Sequence, residues 1–283
     1  MDKVIFFGNG PLAEYTLAVL SKECQVIFHV HSAADLEKAC QLKRQHPEAH
    51  GVLASFGVII RPEVLELFEP EGILNVHPSL LPSYRGPSPI ETAIIDGHHD
   101  FSVSVMKLAK EMDAGPIYWQ TTLTGAEIAS RTHSDTTTAT EPSVHLSNGQ
   151  VLPLKSTIYQ ALAETGAHWI CNNLVNLPTP VPQDDAHATY TQKLTKKLGA
   201  LHPESEPADT ILRQIIAFQG FPKPKCPFFS TNCIILAAHP LRQGETAVLP
   251  LKCSDGQILS IDRLQPEGRK PMDAKAFING YKK

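Results

Sequence analysis

An amide, an imidazole and a carboxylate stand at positions where they can act together on one reacting group. Asn75 and His77 occupy alternate positions of a short apolar run, so on a β-strand their side chains share one face. Pro78 removes a ladder donor and ends that strand directly after the histidine. Asp113 follows a second apolar run and precedes an Ala-Gly-Pro turn signal. These three side chains predict a site that moves a proton while the amide holds a carbonyl oxygen.

The apolar runs around these residues predict the fold of the first part of the chain. Continuous apolar runs are typical of strands that are buried on both faces, and here they alternate with helical segments. The alternation predicts an α/β fold with a doubly wound, Rossmann-like parallel sheet. Ligands of such sheets bind at the carboxyl ends of the strands, where His77 is expected. The expected strands are Val4–Phe7, Cys24–Val30, Gly51–Phe56 and Ile73–Val76, and the expected helices are Leu12–Leu20, Ala33–Gln45 and Pro62–Phe68.

The segments that follow Pro78 predict two further strands and two helices. The strands, Phe101–Lys107 and Ile117–Leu123, flank the turn that holds Asp113. The helices are expected over Pro87–Asp96 and Thr157–Leu174. Between them, residues 125–154 are polar and rich in threonine, and the Asn-Gly pair at 148–149 predicts a tight hairpin.

The last hundred residues have a different pattern. Three prolines between residues 176 and 185 predict a stiff, extended linker. A helix over Asp209–Gln219 and short β-like runs punctuated by Gly and Pro predict a small β-barrel; the runs are Cys233–Ala237, Thr246–Leu249 and Gln257–Ile261. The sequence thus predicts a catalytic domain over 1–182, a linker over 183–208 and a β-barrel-like domain over 209–283.

Composition excludes several classes of protein. The 283 residues are 42% apolar and 19% charged, and no apolar run approaches the length of a membrane span. The chain enters a strand at once, without a basic leader, which predicts a cytoplasmic protein. Six cysteines without a Cys-x-x-Cys pair predict buried thiols, and the 13 histidines lack the spacing of metal ligands, so no metal is expected.

Charge is divided unevenly along the chain. Residues 1–182 carry 11 Lys and Arg against 19 Asp and Glu, whereas residues 183–283 carry 14 against 10. Either the basic C-terminal part faces a polyanion, or the difference is a random variation of the surface.

The Gly8-Asn9-Gly10 turn after the first strand also has two interpretations, a dinucleotide site or a tight turn. It lacks the third glycine of a dinucleotide site. A tight strand-to-helix turn is the favoured interpretation.

Two motifs carry a resemblance to a known family. The run Asn75–Gly86, Asn-Val-His-Pro-Ser-Leu-Leu-Pro-Ser-Tyr-Arg-Gly, resembles the signature of the folate-dependent formyltransferases, as does Met112–Ile117. Three other segments resemble the members that act on tRNA: Ala188–Lys197, Ile216–Gln219 and Leu264–Met272. The resemblance implies formyl transfer from 10-formyltetrahydrofolate to the amine of methionine on initiator tRNA. The enzyme is expected to be a monomer. The alternative acceptor is a sugar-nucleotide amine, which a formyltransferase domain of the same kind serves.

The resemblance also implies roles for individual residues. Asn75 holds the oxyanion, His77 acts either as a base or as an imidazolium that stabilises the oxyanion, and Asp113 orients the ring or relays the proton. The folate contacts are expected at Phe56, Gly57, Ile60, Leu81, Ala109 and Lys110, although core packing alone also accounts for Phe56 and Ile60. Contacts with tRNA are expected at Ser79, Arg85, Lys193, Lys196 and Lys197.

Four of these five residues have alternative explanations. Arg85 contacts a phosphate or the methionyl end of tRNA, or else it is a loop arginine that caps carbonyls. The three lysines form a phosphate track or a solvated helix face. One departure from the family also concerns tRNA, since His29–Ser32 passes almost directly into a helix where a basic loop is usual.

Overall fold

The computed structural model describes residues 1–131, 143–241 and 244–281, and they form two compact units. The first unit contains Met1–Ile90, Asp100–Arg131 and Ser156–Gln192. The second contains Glu91–His99, the described residues of 132–155 and those of Lys193–Lys283. Residues 183–192, which the sequence places in a linker, therefore group with the first unit, because they hydrogen-bond to its loops as described below.

A six-stranded sheet forms the centre of the first unit. Its strands are β1 (Lys3–Gly8), β2 (Gln25–Val30), β3 (His50–Ala54), β4 (Ile73–His77), β5 (Phe101–Lys107) and β6 (Ile117–Leu123). They lie in the order β2-β1-β3-β4-β5-β6. The first four strands are parallel, as predicted, whereas β5 and β6 are antiparallel to their neighbours, so the sheet is mixed. The connection between β5 and β6 is too short for a parallel crossover, which fixes their antiparallel pairing.

Six α-helices lie within the described residues up to 173: α1 (Pro11–Glu23), α2 (Leu36–Gln45), α3 (Pro62–Glu66), α4 (Pro89–Ile95), α5 (Gly125–Ser130) and α6 (Lys155–Asn173). Five of them follow the prediction with small shifts at their ends, whereas α5 was not predicted. A 3-10 helix, Ala33–Asp35, precedes α2, so only His31 and Ser32 separate β2 from helical structure. Ser32 and Asp35 form a capping box at this point. The short connection after β2 is therefore confirmed.

Two glycines allow the close packing on which the sheet depends. A Cβ at Gly8 would overlap the carbonyl oxygen of Ala54 on the neighbouring strand and lie 2.8 Å from Ala13 Cβ on α1, so Gly8 permits their close approach to β1. A Cβ at Gly166 would lie 2.9 Å from Val76 Cγ1, so Gly166 lets α6 approach β4 closely. Val76 stands between Asn75 and His77, and the helix thus buttresses the strand that carries them.

The second unit contains an antiparallel sheet in the order β11-β12-β10-β9, with β13 paired to β12. The strands are β9 (Lys225–Phe228), β10 (Thr231–Pro240), β11 (Leu249–Lys252), β12 (Ile258–Pro266) and β13 (Met272–Asp273). It also contains α7 (Ala208–Ala217), α8 (Ala274–Tyr281) and a hairpin of β7 (Ser143–His145) and β8 (Val151–Pro153). The predicted hairpin at the Asn-Gly pair is confirmed, whereas residues 132–142 of the Thr-rich stretch lie outside the described residues. Among the described helices none has the length and apolarity to span a membrane.

Candidate active site

Strand β4 presents the amide and the imidazole. Asn75 and His77 are each 5% exposed and lie at alternate positions of the strand, so they share a face of the sheet. In the pairing of β4 with β5, His77 lies opposite Ser104 and Asn75 opposite Met106. Within the described part of the chain, the Asn75 carboxamide makes no hydrogen bond. Its donor is therefore available to a ligand.

The turn after β5 brings the carboxylate to the imidazole. Asp113 Oδ1 lies 3.6 Å from His77 Nδ1, and Asp113 Oδ2 accepts a hydrogen bond of 2.8 Å from the Gly86 N–H. Asp113 has φ +52°, a left-handed conformation that aspartate tolerates better than most residues. A Cβ at Gly115 would overlap the Lys107 carbonyl oxygen, so the turn also requires glycine there. The structure thus brings His77 and Asp113 together, as the sequence predicts.

His77 faces one acceptor at each ring nitrogen. Nε2 lies 3.2 Å from the Tyr84 carbonyl oxygen, and Nδ1 lies 3.6 Å from Asp113 Oδ1. An N–H at Nε2 can donate to the Tyr84 carbonyl oxygen in the neutral ring and in the imidazolium alike. The contacts of His77 are therefore compatible with both of its predicted roles.

A buried hydroxyl holds the loop that follows His77. Ser104 Oγ donates to the Ser79 carbonyl oxygen at 2.6 Å and accepts from the Leu81 N–H at 3.2 Å. Gln120 Nε2 donates to the same hydroxyl at 2.8 Å and to the Leu81 carbonyl oxygen at 2.7 Å. Strands β5 and β6 therefore fasten this loop, and neither Ser104 nor Gln120 was predicted from the sequence.

Two residues expected to contact tRNA have partners inside this loop region. Ser79 is buried, and its hydroxyl donates to the Ser83 carbonyl oxygen at 2.7 Å. Arg85 is only 2% exposed. Its guanidinium donates to Gln183 and Asp185 at 2.7 to 3.0 Å and to the Tyr190 hydroxyl at 3.3 Å. This burial and these partners favour the second explanation for Arg85, a structural role in the loop, and a contact with tRNA stays a prediction.

Electrostatics agree with a fixed guanidinium. Burial alone would lower the pKa of Arg85, but the hydrogen bonds and charge of Asp185 and the contact with Tyr190 raise it above its ordinary value. The Arg85 guanidinium also lies 5.9 Å from the centre of the Tyr190 ring. Arg85 is therefore a permanently charged part of the loop's support.

The residues expected to bind folate lie in two environments. Phe56, Ile60 and Leu81 are buried, and the Phe56 ring packs edge-on against Phe7 with centres 5.8 Å apart. Gly57 is exposed with φ +67°, and Lys110 is also exposed. Core packing accounts for Phe56 and Ile60, as the alternative explanation holds, whereas the loops that contain Gly57 and Lys110 are open to solvent.

The three lysines expected to contact tRNA belong to the second unit. Lys193, Lys196 and Lys197 are exposed, and Lys196 and Lys197 begin a 3-10 helix, Lys196–Gly199. No ion pair joins any of them to another residue among 1–131, 143–241 and 244–281. Their charges are therefore available to a polyanion.

The supporting residues gave unequal signals in the sequence. Ser104 is a small polar residue inside the apolar run Val103–Met106, and such an interruption of a buried strand is a recognisable signal. Gln183 and Asp185 follow a proline-rich stretch and have no local pattern that distinguishes them from linker residues. Their role appears only when the chain is folded.

Comparison with known proteins identifies the family of the chain. Two family models match the chain: Formyl transferase over residues 13–154, and Formyl transferase, C-terminal domain, over residues 193–282. Methionyl-tRNA formyltransferase of Granulibacter bethesdensis is 33% identical over 242 residues, which cover 82% of this chain and 68% of that protein.

Solved structures share the fold. HypX from Aquifex aeolicus superposes with a TM-score of 0.70 at 16% identity, covering 99% of this chain and 49% of that one. Methionyl-tRNA formyltransferase from Clostridium thermocellum gives a TM-score of 0.59 at 16% identity, covering 94% of this chain and 98% of that one. At these identities the likeness concerns the fold alone, while the family models and the sequence relative carry the assignment. The chain therefore belongs to the formyl transferase family, with both domains of that family and with methionyl-tRNA formyltransferases as its relatives.

Proposed function

We propose that this chain transfers the formyl group of 10-formyltetrahydrofolate to the amino group of methionyl initiator tRNA. The observation that carries the proposal is the placement of His77 between the Asp113 carboxylate and the Tyr84 carbonyl, with the unpaired Asn75 amide on the same face of β4. Family membership supports formyl transfer as the reaction, and the relatives support methionyl-tRNA as the acceptor.

The proposed chemistry begins with attack of the methionyl amine on the formyl carbon. The C–N bond that forms leaves a tetrahedral oxyanion, which the Asn75 N–H stabilises as a donor. The attacking amine loses a proton, and the leaving nitrogen of the folate gains one when its bond to the formyl carbon breaks. Either His77 acts as the base while Asp113 orients its ring, or the His77 imidazolium stabilises the oxyanion while Asp113 relays the proton. In both cases the proton passes from one nitrogen to the other, so the enzyme returns to its starting state. The chemistry requires no metal.

The donor site is proposed at the solvent-open loops beside β4. Gly57, Ala109 and Lys110 belong to these loops, and Phe56, Ile60 and Leu81 are buried. Leu108, the residue before Ala109, packs against the core cluster that contains Phe56 and Ile60. A mostly apolar base with a few backbone donors suits a flat heterocycle such as the pterin. We propose this region, with the adjacent Asp113 turn, as the place where the folate lies.

The acceptor is proposed to contact the second unit through its lysines. Lys193, Lys196 and Lys197 are exposed and form no ion pair within the described ranges. Residues 183–283 carry a net positive charge, whereas residues 1–182 carry a net negative one. Contacts with phosphates make binding weaker as the salt concentration rises. Ser79 and Arg85 would then act in the catalytic unit as supports of the loop. A catalytic part in the first unit, which includes residues 183–192 of the predicted linker 183–208, and a tRNA-binding part over 209–283 stay a proposal, as do a monomeric state and a cytoplasmic location.

One incubation tests the function and its acceptor. The purified chain is mixed with 10-formyltetrahydrofolate and methionyl initiator tRNA, and formylmethionine is measured after release from the tRNA. A parallel reaction offers a dTDP-linked aminosugar. Formylmethionine is the expected product, whereas formylation of the aminosugar alone would overturn the proposal. His77→Ala and Asp113→Ala should lower turnover at least a hundredfold while the circular dichroism spectrum is unchanged.

A further inference from the structure

The segment of residues 181–192 crosses the candidate active site and is anchored at both ends. At one end, Val181 and Ile117 exchange two backbone hydrogen bonds of 2.8 Å. At the other end, the Arg85 N–H donates to Thr189 at 2.9 Å and the Thr191 N–H donates to the Arg85 carbonyl at 2.7 Å. The segment thus joins the strand after the Asp113 turn to the loop that follows His77. Residues about a hundred positions away in sequence become part of the site.

Gln183 is the central residue of this segment. Its Nε2 donates to the carbonyl oxygens of Asp113 and Gly115, at 2.8 and 2.7 Å. Its Oε1 accepts from Arg85 Nε at 3.0 Å and from Arg85 Nη2 at 2.8 Å. A carboxamide has two donors and two acceptor sites, so every one of them is used.

These hydrogen bonds connect the two elements that must meet at His77. Gln183 fixes the backbone of the Asp113 turn on one side and the Arg85 side chain on the other. The next residue after Arg85, Gly86, donates its N–H to the Asp113 carboxylate. The loop that contains Gly86 therefore orients the Asp113 carboxylate. The Gln183 carboxamide holds this loop and the Asp113 turn in position relative to each other.

We propose that Gln183 is a positioning residue for Asp113, which it holds at its place beside His77 Nδ1. The inference rests on the proposed function, because it assigns Asp113 to the proton transfer. Gln183 is proposed to affect the reacting atoms indirectly, through the position of Asp113. A small displacement of a catalytic group costs up to a hundredfold in rate, so loss of this amide should lower kcat far more than it raises KM.

Two substitutions separate the halves of the Gln183 network. Gln183→Leu removes all four hydrogen bonds, whereas Gln183→Glu keeps the acceptors for Arg85 and removes the donors to Asp113 and Gly115. Both variants should lose about tenfold to a hundredfold in kcat with KM for donor and acceptor changed less than threefold. Gln45→Leu, at the exposed end of α2, is the matched control and should keep the kcat of the parent protein. A Gln183→Glu enzyme with normal kcat would overturn the proposal.

A double-substitution cycle distinguishes positioning from general support of the fold. In an Asp113→Asn background the catalytic carboxylate is already absent, so adding Gln183→Leu should lower the remaining kcat less than threefold. Equal losses in both backgrounds would show that Gln183 acts independently of Asp113. The kinetic comparison uses whichever acceptor the parent protein formylates, so a change of acceptor contradicts the proposed function without deciding this inference.

Hydrogen exchange gives an answer that needs no substrate. In Gln183→Leu and in Gln183→Glu, the amides of residues 108–116 should exchange at least tenfold faster than in the parent protein, while those of α2 are unchanged. Unchanged exchange in the Asp113 turn would refute the positioning role even if the enzyme were inactive. Faster exchange throughout the chain would show that the substitution unfolds the protein instead.

Discussion

Ser104 lies directly opposite His77 in the antiparallel pairing of β5 with β4, and its hydroxyl is completely buried. This hydroxyl makes three hydrogen bonds, two of them to the backbone of the loop that begins one residue after His77. The strand partner of the imidazole therefore determines the path of the chain around the imidazole.

Replacing Ser104 by alanine should impair both stability and turnover. Ser104→Ala leaves the Ser79 carbonyl and the Leu81 N–H without their partner, which costs about 1–3 kcal/mol in the free energy of unfolding. The loosened loop also lowers kcat. Urea unfolding and initial rates measure both effects. Ser102→Ala, two residues away and hydrogen-bonded to the Thr122 hydroxyl near the surface, should change stability by no more than about 0.5 kcal/mol.

Asn75 should prove important for turnover and unimportant for stability. Its carboxamide has no partner among the described residues, so Asn75→Ala removes no hydrogen bond from the folded protein. Loss of a donor to the oxyanion lowers kcat about a hundredfold to a thousandfold with little change in KM. Steady-state rates and thermal unfolding test the two parts separately. A large fall in the unfolding temperature would point to a structural role instead.

Lys155 should be a stability determinant of the second unit. Its ammonium donates to Glu91 at 3.2 Å and to the carbonyl oxygens of Ala217 and Gln219 at 2.8 and 2.6 Å. It thereby caps the end of α7, and the side chains of Lys155 and Glu91 are 12% and 7% exposed. Lys155→Met should cost about 3 kcal/mol in urea unfolding. Lys252→Met, on an exposed position of β11, should have no measurable effect.

His239 should make stability depend on pH. Burial by itself lowers the pKa of His239, but its hydrogen bonds to Asp262 and Glu245, of 2.8 and 2.9 Å, outweigh burial and raise the pKa. A histidine pKa that is raised on folding contributes stability that is complete below the unfolded value of about 6.5 and is lost as the pH rises through the folded value.

The difference in unfolding free energy between the parent protein and His239→Gln should therefore be larger at pH 6 than at pH 9. Urea titrations at several pH values measure this difference. A difference that is the same at every pH would exclude protonation of His239 as its source, and a difference that grows toward high pH would reverse the assigned direction of the shift.

Most elements of the fold follow from local pattern. The parallel strands and their helices were predicted from apolar runs, such as those before Gly8 and Pro78, that alternate with helical segments. The proline at the start of α1 marked the beginning of that helix. The antiparallel direction of β5 was not predicted, because the same apolar run is compatible with a parallel and with an antiparallel strand. The β10 strand extends beyond its predicted Cys233–Ala237 core because pairing with β12 continues past the apolar residues.

The candidate catalytic residues were predicted from local motifs, whereas the residues that support them were not. The residue types of Asn75, His77 and Asp113, and their places in these motifs, indicate their chemistry. Ser104, Gln120 and Gln183 act through hydrogen bonds to a loop that is distant in sequence, and the partners of Gln183 lie about 70 and 98 positions away from it. Such pairings depend on the folded path of the backbone, which local spacing does not specify.

The segment of residues 181–192 also has a consequence for how the chain can be divided. It lies between the two family matches, which end at residue 154 and begin at residue 193. A fragment cut at residue 182 would keep His77 and Asp113 but would lose Gln183, Asp185 and Tyr190. An autonomous formyl-transferring fragment, whether produced by gene fission, proteolysis or fusion to another protein, therefore has to extend through Gln192. The shortest active fragment of this enzyme is therefore longer than residues 13–154, which the first family model matches.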